Sequence, residues 1–342
     1  MLVRCIEATL CQIMTDFELV IVSDGSTDET EKIVKSYGDP RIVFLEKENG
    51  GQASARNLGI SQARGKYIAL CDDDDQYYPD HLLTLSNLLQ TSPEVALVYS
   101  DALWCYQDFS IKPNIRYSHD FDKKTLENYN YITPVNVLLR RSCLKKSGLF
   151  NEDPALKGLE DWEFFMRLSD HYPLLHMRKV TAKYNVHHEN SFHSGSGYNY
   201  NSAFFLIRNQ RFRYLVSKFG PSFFDHVNHM YPFYFVQCYL NNGKIKEGLE
   251  IATKLQELHN LYAPQNNLTV SRTELVILFS LGISSFMAGY EEKALLYFSQ
   301  TRESQSFGQM KSPFNRFVEH YADSTPNAGL KMLLIKCFSL SH

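Results

Sequence analysis

Apolar positions recur along this chain with two periods, and the alternation between them divides its first two hundred residues into short segments. Val3, Ile6, Leu10 and Ile13 fall at helical spacing, after which Asp16 precedes "FELVIVS", a β-branched run that ends in the turn string "DGSTD". Helical spacing returns in "DETEKIVKSYG" with Ile33, Val34 and Tyr37, and "RIVFLE" is a second strand. "GGQASARNLGISQARG" joins a Gly-Gly loop to an alanine-rich helix, and "KYIALC" is the next strand. Strands alternating with helices of about 10 to 15 residues predict a parallel α/β sheet covered by helices on both faces. In such sheets ligands bind beyond the carboxyl ends of the strands, where both "SDGSTD" and the acidic run Asp72, Asp73, Asp74 and Asp75 fall.

After about residue 200 the pattern becomes helical and aromatic, as in "FFLIRNQRFRYLVSKF" and "ELVILFSLGISSFMAGYEEKALLYFSQ". "NNGKIKEGLEIATK" can be laid over "MAGYEEKALLYFSQ" with Gly243 opposite Gly289 and Leu249 opposite Leu295. Each then reads as the turn and second helix of a helical hairpin, which resembles a tetratricopeptide-type repeat; a plain helical subdomain is the competing expectation. The domain boundary is placed between 205 and 206.

Composition narrows the classes. A net charge of -3 over 342 residues provides no broad basic field, so nucleic acid is not an expected partner. The local basic segment of Arg208, Arg211, Arg213 and Lys218 is expected to be a solvated helix face. The seven cysteines are scattered and contain no C-x-x-C pair, which points away from a disulfide framework or a structural zinc site. No apolar run approaches the roughly 20 residues that span a bilayer. The expectation is a cytoplasmic protein, or one peripheral to the inner face of the membrane.

Four adjacent carboxylates repel one another, so the run needs a cation, donors or open solvent. An EF-hand loop counted from Asp72 would need glycine sixth and glutamate twelfth, and Tyr77 and Leu83 stand there. A hard divalent ion, Mn2+ or Mg2+, held by one or two carboxylates and completed by phosphates, is the remaining metal reading. In an extended segment Asp72 and Asp74 would face one side and Asp73 and Asp75 the other.

"FELVIVSDGSTDET", "GGQASARNLGISQARGKYIALCDDDDQYYPDHL" and "LKGLEDWEFFMRLS" resemble, in order and spacing, the signatures of the family 2 glycosyltransferases, which have the GT-A fold. "TPVNVLLRRSCLKKSGLFNED" and "YNVHHENS" are weaker matches, and together the set covers about residues 2 to 200. The resemblance implies an inverting sugar transfer from a nucleoside diphosphate sugar to a glycan or lipid-linked acceptor. It assigns Asp24 to the nucleobase, Asp72 and Asp73 to ribose or sugar, Asp74 to the metal, and Asp161 to the general base. It also makes His187 a metal or diphosphate contact and gives Arg56, with Asn57, a share in fixing the donor. Without it, Glu160 and Asp161 read as negative charge at a helix start, Arg167 as a structural pairing partner, and His187 and His188 as surface residues. Trp104 and Trp162 read as core or acceptor-cleft wall.

The expected architecture is therefore a mostly parallel, three-layer GT-A domain over 1–205, followed by a helical region over 206–342 that offers a surface to a protein partner. The family pattern places a strand of the type "VSVIIPTYN" ahead of the helix with which this chain opens. That strand is expected to be missing, which either leaves unpaired backbone groups in mid-sheet or forces another segment into the gap. A catalytically impaired scaffold is the alternative function.

Overall fold

A computed structural model describes residues 1–106, 110–186, 200–263, 269–303 and 305–338, which divide into two compact units, Met1–Ala203 and Phe204–His342. The first unit runs α1 (Leu2–Leu10), β1 (Leu19–Asp24), α2 (Thr30–Ser36), β2 (Ile42–Lys47), α3 (Gln52–Gln62), β3 (Tyr67–Ala69), β4 (Gln76–Tyr77) and α4 (His81–Thr91). It continues with β5 (Leu97–Tyr106), β6 (Ile111–Tyr117), α5 (Lys123–Leu126), β7 (Val137–Arg140), α6 (Leu144–Ser147), α7 (Glu160–Ser169) and β8 (Leu174–Val186). The predicted helix-strand alternation through residue 71 is present, although the "KYIALC" strand is regular only from Tyr67 to Ala69.

The sheet is mixed. β1 pairs with β2 and β5 with β8 in parallel, whereas β3–β7, β5–β7, β5–β6 and β4–β8 are antiparallel. The expectation of a mostly parallel sheet thus holds only at those two pairs. Helical crossovers force parallel pairing, and they dominate the first part of the chain, where the alternation was legible. Beyond α4 a tight connection folds β6 back on β5, and β7 inserts antiparallel between β3 and β5.

β5 is the backbone of the unit, bonded to β8 along its whole length and to β7 and β6 on the other side. Helix α4 covers it. His81, Leu82, Leu85, Ser86 and Leu89 recur at helical spacing and are buried, with Leu82, Leu85 and Leu89 packing on Val95, Val98 and Leu138. Each fully buried leucine contributes about 1.5–3 kcal/mol of transfer free energy. A smaller cluster of Tyr77, Ala102, Val135 and Ala182 lies close to the acidic run, and the Tyr77 hydroxyl donates to the Leu70 carbonyl at 2.6 Å.

Among the described residues β1 bonds only β2, and β3 bonds only β7, so the strands fall into a two-stranded and a six-stranded sheet. All residues of β1 and β3 line one cavity of about 980 Å³, together with α1 and α3 side chains such as Ile6 and Ile60. Leu19, Val20, Ile21 and Val22 are consequently only half-buried, although an aliphatic run of this kind is usually covered in a parallel sheet. Both strands run toward the acidic loops, since Asp24 ends β1 and Asp72 follows β3.

The second unit is helical, with α8 (Tyr200–Phe219) leading into it and then α9 (Tyr231–Asn241), α10 (Ile245–Tyr262), α11 (Thr269–Met287), α12 (Glu291–Glu303), α13 (Gln305–Ser324) and α14 (Ala328–Phe338). The two superposable segments are turn plus helix as expected: Gly243 at φ 69° precedes α10 and Gly289 at φ 83° precedes α12. That left-handed backbone suits glycine, and each N–H closes a helix end, Gly243 onto the Leu240 carbonyl and Gly289 onto that of Phe286. Gly282 has a different reason, since a Cβ there would lie 2.3 Å from the Phe298 ring. Aromatic residues fill two cores, one around Phe223, Tyr231 and Phe235 and the other around Phe279, Phe298 and Phe338. The basic segment is not wholly solvated: Arg208 and Arg211 are buried, with the Arg208 guanidinium 5.3 Å from the Tyr231 ring centre. Arginine stems and guanidinium planes pack on aromatic faces, which the charge count alone could not reveal.

Candidate functional site

Asp24 stands at the end of β1, opposite Lys47 in the β1–β2 register. Its Oδ1 accepts from Lys47 Nζ at 2.8 Å and from the Gly50 N–H at 2.9 Å, while Oδ2 accepts from the Gly51 N–H at 2.7 Å. Burial raises its pKa, but the Lys47 ammonium and the two N–H groups outweigh it and hold the carboxyl below its ordinary value. The loop must come close for this. Gly25 has φ 76°, and a Cβ on it would meet the Asn49 nitrogen at 2.9 Å.

The acidic run is a turn, not an extended segment. The Asp75 N–H donates to the Asp72 carbonyl at 3.1 Å, so the predicted alternation of sides does not apply. Asp73 is exposed, Asp72 and Asp74 are half-buried, and Asp75 is buried at 1% exposure. Asp75 Oδ1 accepts from the Asn185 N–H at 2.8 Å, and its Oδ2 has no partner among the described residues. Burial first, and then the charges of Asp74 and Asp72, push this carboxyl well above the usual carboxylate range. The run therefore relieves its own repulsion partly by burying one member, which favours the neutral acid. Cys5 reaches the same turn, donating to the Asp72 carbonyl at 3.5 Å with its sulfur 3.6 Å from that of Cys71.

Asp161 lies in the first turn of α7. Its Oδ1 accepts from the Trp162 N–H at 2.7 Å and its Oδ2 from Asn130 Nδ2 at 3.2 Å. Burial, followed by the charge of Glu160, lifts the carboxyl to about 7 against the pull of Arg56 and the Trp162 N–H. A carboxylate poised near neutrality is suited to taking a proton from a hydroxyl.

Arg56, on α3, joins these parts. One guanidinium nitrogen holds both Asp72 oxygens at 2.8 and 3.1 Å, and another holds Glu160 Oε1 at 2.8 Å. Burial opposes its charge, but Asp72 and Glu160 prevail and push its pKa further up. Asn57 turns the other way, bonding the Phe150 backbone and the Glu152 carboxylate. Arg167 is on the far part of α7, paired with Glu163 at 2.8 Å. Trp162 is buried, its indole donating to the Leu126 carbonyl at 2.6 Å, whereas Trp104 is half-buried beside Tyr117 and Tyr184.

Ser23, Asp24, Arg56, Asp72 and Asp73 line the 980 Å³ cavity together. Asp161 connects to them through Glu160 and Arg56. His187 and His188 lie outside the described residues. Lys47, Asn130 and Glu160 carry weight that sequence reasoning missed or left as a mere helix-terminal charge. Their only signal is the strand register for Lys47 and loop closure for Asn130, neither of which is local.

Against known proteins, the family model described as Glycosyl transferase family 2 matches residues 1–148. An uncharacterized glycosyltransferase of Rickettsia prowazekii is 36% identical over 186 residues, which are 49% of this chain and 55% of that protein. Chondroitin synthase of Pasteurella multocida is 29% identical over 228 residues, covering 66% of this chain and 23% of the synthase. The chain spans about half the length of the first of these relatives and less of the second. The crystal structure of S. aureus TarS 1-349 in complex with UDP-GlcNAc shares the fold, with a TM-score of 0.56 at 16% identity over 89% of this chain and 87% of that one.

Proposed function

We propose a function from the premise that this chain belongs to glycosyl transferase family 2 over residues 1–148: it is a metal-dependent inverting glycosyltransferase that moves a sugar from a nucleoside diphosphate sugar to an acceptor hydroxyl in glycan or polysaccharide biosynthesis. A UDP-sugar is the proposed donor, in keeping with the TarS structures solved with UDP and UDP-GlcNAc. The observation that carries the reading is the Arg56 bridge, which brings the acidic run and the Glu160–Asp161 pair into one network from distant parts of the chain.

Each residue has a definable task. A carboxylate offers about four lone-pair sites, and three of those on Asp24 are taken by Lys47, Gly50 and Gly51, which leaves room for one N–H of a nucleobase. Asp72 and Asp73 face the cavity and would meet ribose or sugar hydroxyls. Among the described residues no group of three or more His, Cys, Asp or Glu is arranged to hold a metal ion. Magnesium and manganese sites built around phosphates need only one or two carboxylates, and the half-buried Asp74 beside the exposed Asp73 fits that donor set, with His187 as a further ligand. A divalent ion there supplies positive charge for the leaving diphosphate. Asp161 takes the proton of the acceptor hydroxyl, and inversion requires that it act from the ring face opposite the leaving group. The acceptor is proposed to be a glycan or a lipid-linked saccharide, with the helical unit open to a protein partner and the chain cytoplasmic or peripheral at the inner membrane face. No helix among the described residues is long and apolar enough to cross a membrane.

One observation favours a second reading, a scaffold with impaired donor binding: the free edges of β1 and β3 border the same cavity as Asp24 and Asp72. Calorimetry with UDP and Mn2+ separates the two. An enzyme gives metal-dependent heat that Asp74→Ala removes, and a scaffold gives none in either protein.

A further inference from the structure

Arg56 connects two acidic side chains, Asp72 and Glu160, that arrive from two parts of the fold, and its geometry does more than neutralise them. The guanidinium is a rigid fork. Its side chain is 11% exposed, between Asp72 at 31% and Glu160 at 5%, and its carbon centre lies 5.5 Å from the Phe150 ring centre. Glu160 is fixed from the other side as well, since its Oε2 accepts from the Gly158 N–H at 2.7 Å. Asp161 is the next residue on the same helical turn, so whatever holds Glu160 also holds the backbone that carries Asp161.

We propose that Arg56 is a positioning residue that ties the acidic run to α7 and, together with Glu160, sets the pH range over which Asp161 can accept a proton. The inference deepens the glycosyltransferase reading and rests on it for the role of Asp161. The groups facing Asp161 can be named element by element: Glu160 on α7, Arg56 on α3, Asp72 in the acidic turn, Asn130 and the Trp162 N–H as hydrogen-bond donors, and Tyr117 on β6. Of these charged groups, all among the described residues, Arg56 alone is positive. Removing it leaves the negative charges of Asp72 and Glu160 uncompensated, and Asp161 must hold its proton more tightly. Removing the Glu160 charge acts in the opposite direction. A purely structural role for the pair has no reason to produce shifts of opposite sign, because loosening the helix start would expose Asp161 alike in both variants.

The test is a carbon-13 titration of the full chain labelled at aspartate Cγ, followed from pH 4 to 9, with the Asp161 signal assigned by its loss in Asp161→Asn. In Arg56→Met the midpoint of Asp161 rises by about one pH unit, a tenfold gain in proton affinity, and in Glu160→Gln it falls by a similar amount. Arg56→Lys keeps the charge without the fork, so its midpoint stays near that of the parent while transfer slows, and it serves if the methionine variant does not fold. Unmoved midpoints, or shifts of the same sign in Arg56→Met and Glu160→Gln, overturn the inference. The titration needs no substrate, so its failure is distinguishable from failure of the enzymatic reading, which would appear as absent turnover alongside intact opposite shifts.

Discussion

At the scale of single residues, the account turns on the protonation of Asp161. A base must be unprotonated to work, and this carboxyl is lifted to about 7 by burial and by Glu160. The proposed activity therefore rises with pH through about 7 and is small below 6, and the acid limb of a kcat/KM profile measures it directly. The aspartates themselves were legible in the sequence because their type and order announce chemistry. Their partners were not. Lys47 meets Asp24 only because β1 and β2 pair in the register Asp24↔Lys47, and Asn130 meets Asp161 across 31 positions that include β7 and α6. Arg56 was singled out as a donor contact; that it also bonds Asp72 and Glu160 depends on three-dimensional placement. Asp75 shows the same limit: four identical residues in a row acquire different burial because a turn, rather than an extended strand, follows Cys71.

At the scale of elements, helix-strand alternation was readable wherever one crossover follows another, from α1 to β3. It stopped predicting pairing beyond α4, where β6 and β7 run antiparallel to β5. The edges of β1 and β3 that are free among the described residues are the most consequential feature at this level. A strand bonded on one side opens locally more easily than one bonded on both, since fewer hydrogen bonds and apolar contacts hold it. Backbone amides on the open edges of β1 and β3 are thus expected to exchange with deuterium orders of magnitude faster than the amides of β5, a strand bonded on both sides. Equal protection of Val20 and Val22 and of Val98 and Tyr99 in an exchange experiment would show that the edges are covered in solution. The same edges connect dynamics to function, because β1 ends in Asp24 and β3 leads into Asp72.

At the scale of the whole molecule, the chain couples an α/β unit bearing the acidic network to a helical unit with two aromatic cores. The helical character of the second unit was visible in its spacing, and its paired glycines were visible as turn signals; the burial of Arg208 and Arg211 among aromatic rings was not. The central claim concerns the first unit, and turnover tests it most directly. Nucleoside diphosphate release is measured with Mn2+ across a panel of UDP-sugars and saccharide acceptors for the parent chain, Asp74→Ala and Asp161→Asn. The account predicts release and a glycosylated product for at least one donor in the parent, with a loss of about 10²- to 10⁴-fold in Asp161→Asn and abolition of metal dependence in Asp74→Ala. Turnover that is equal in all three proteins, or no turnover with any donor, would contradict it.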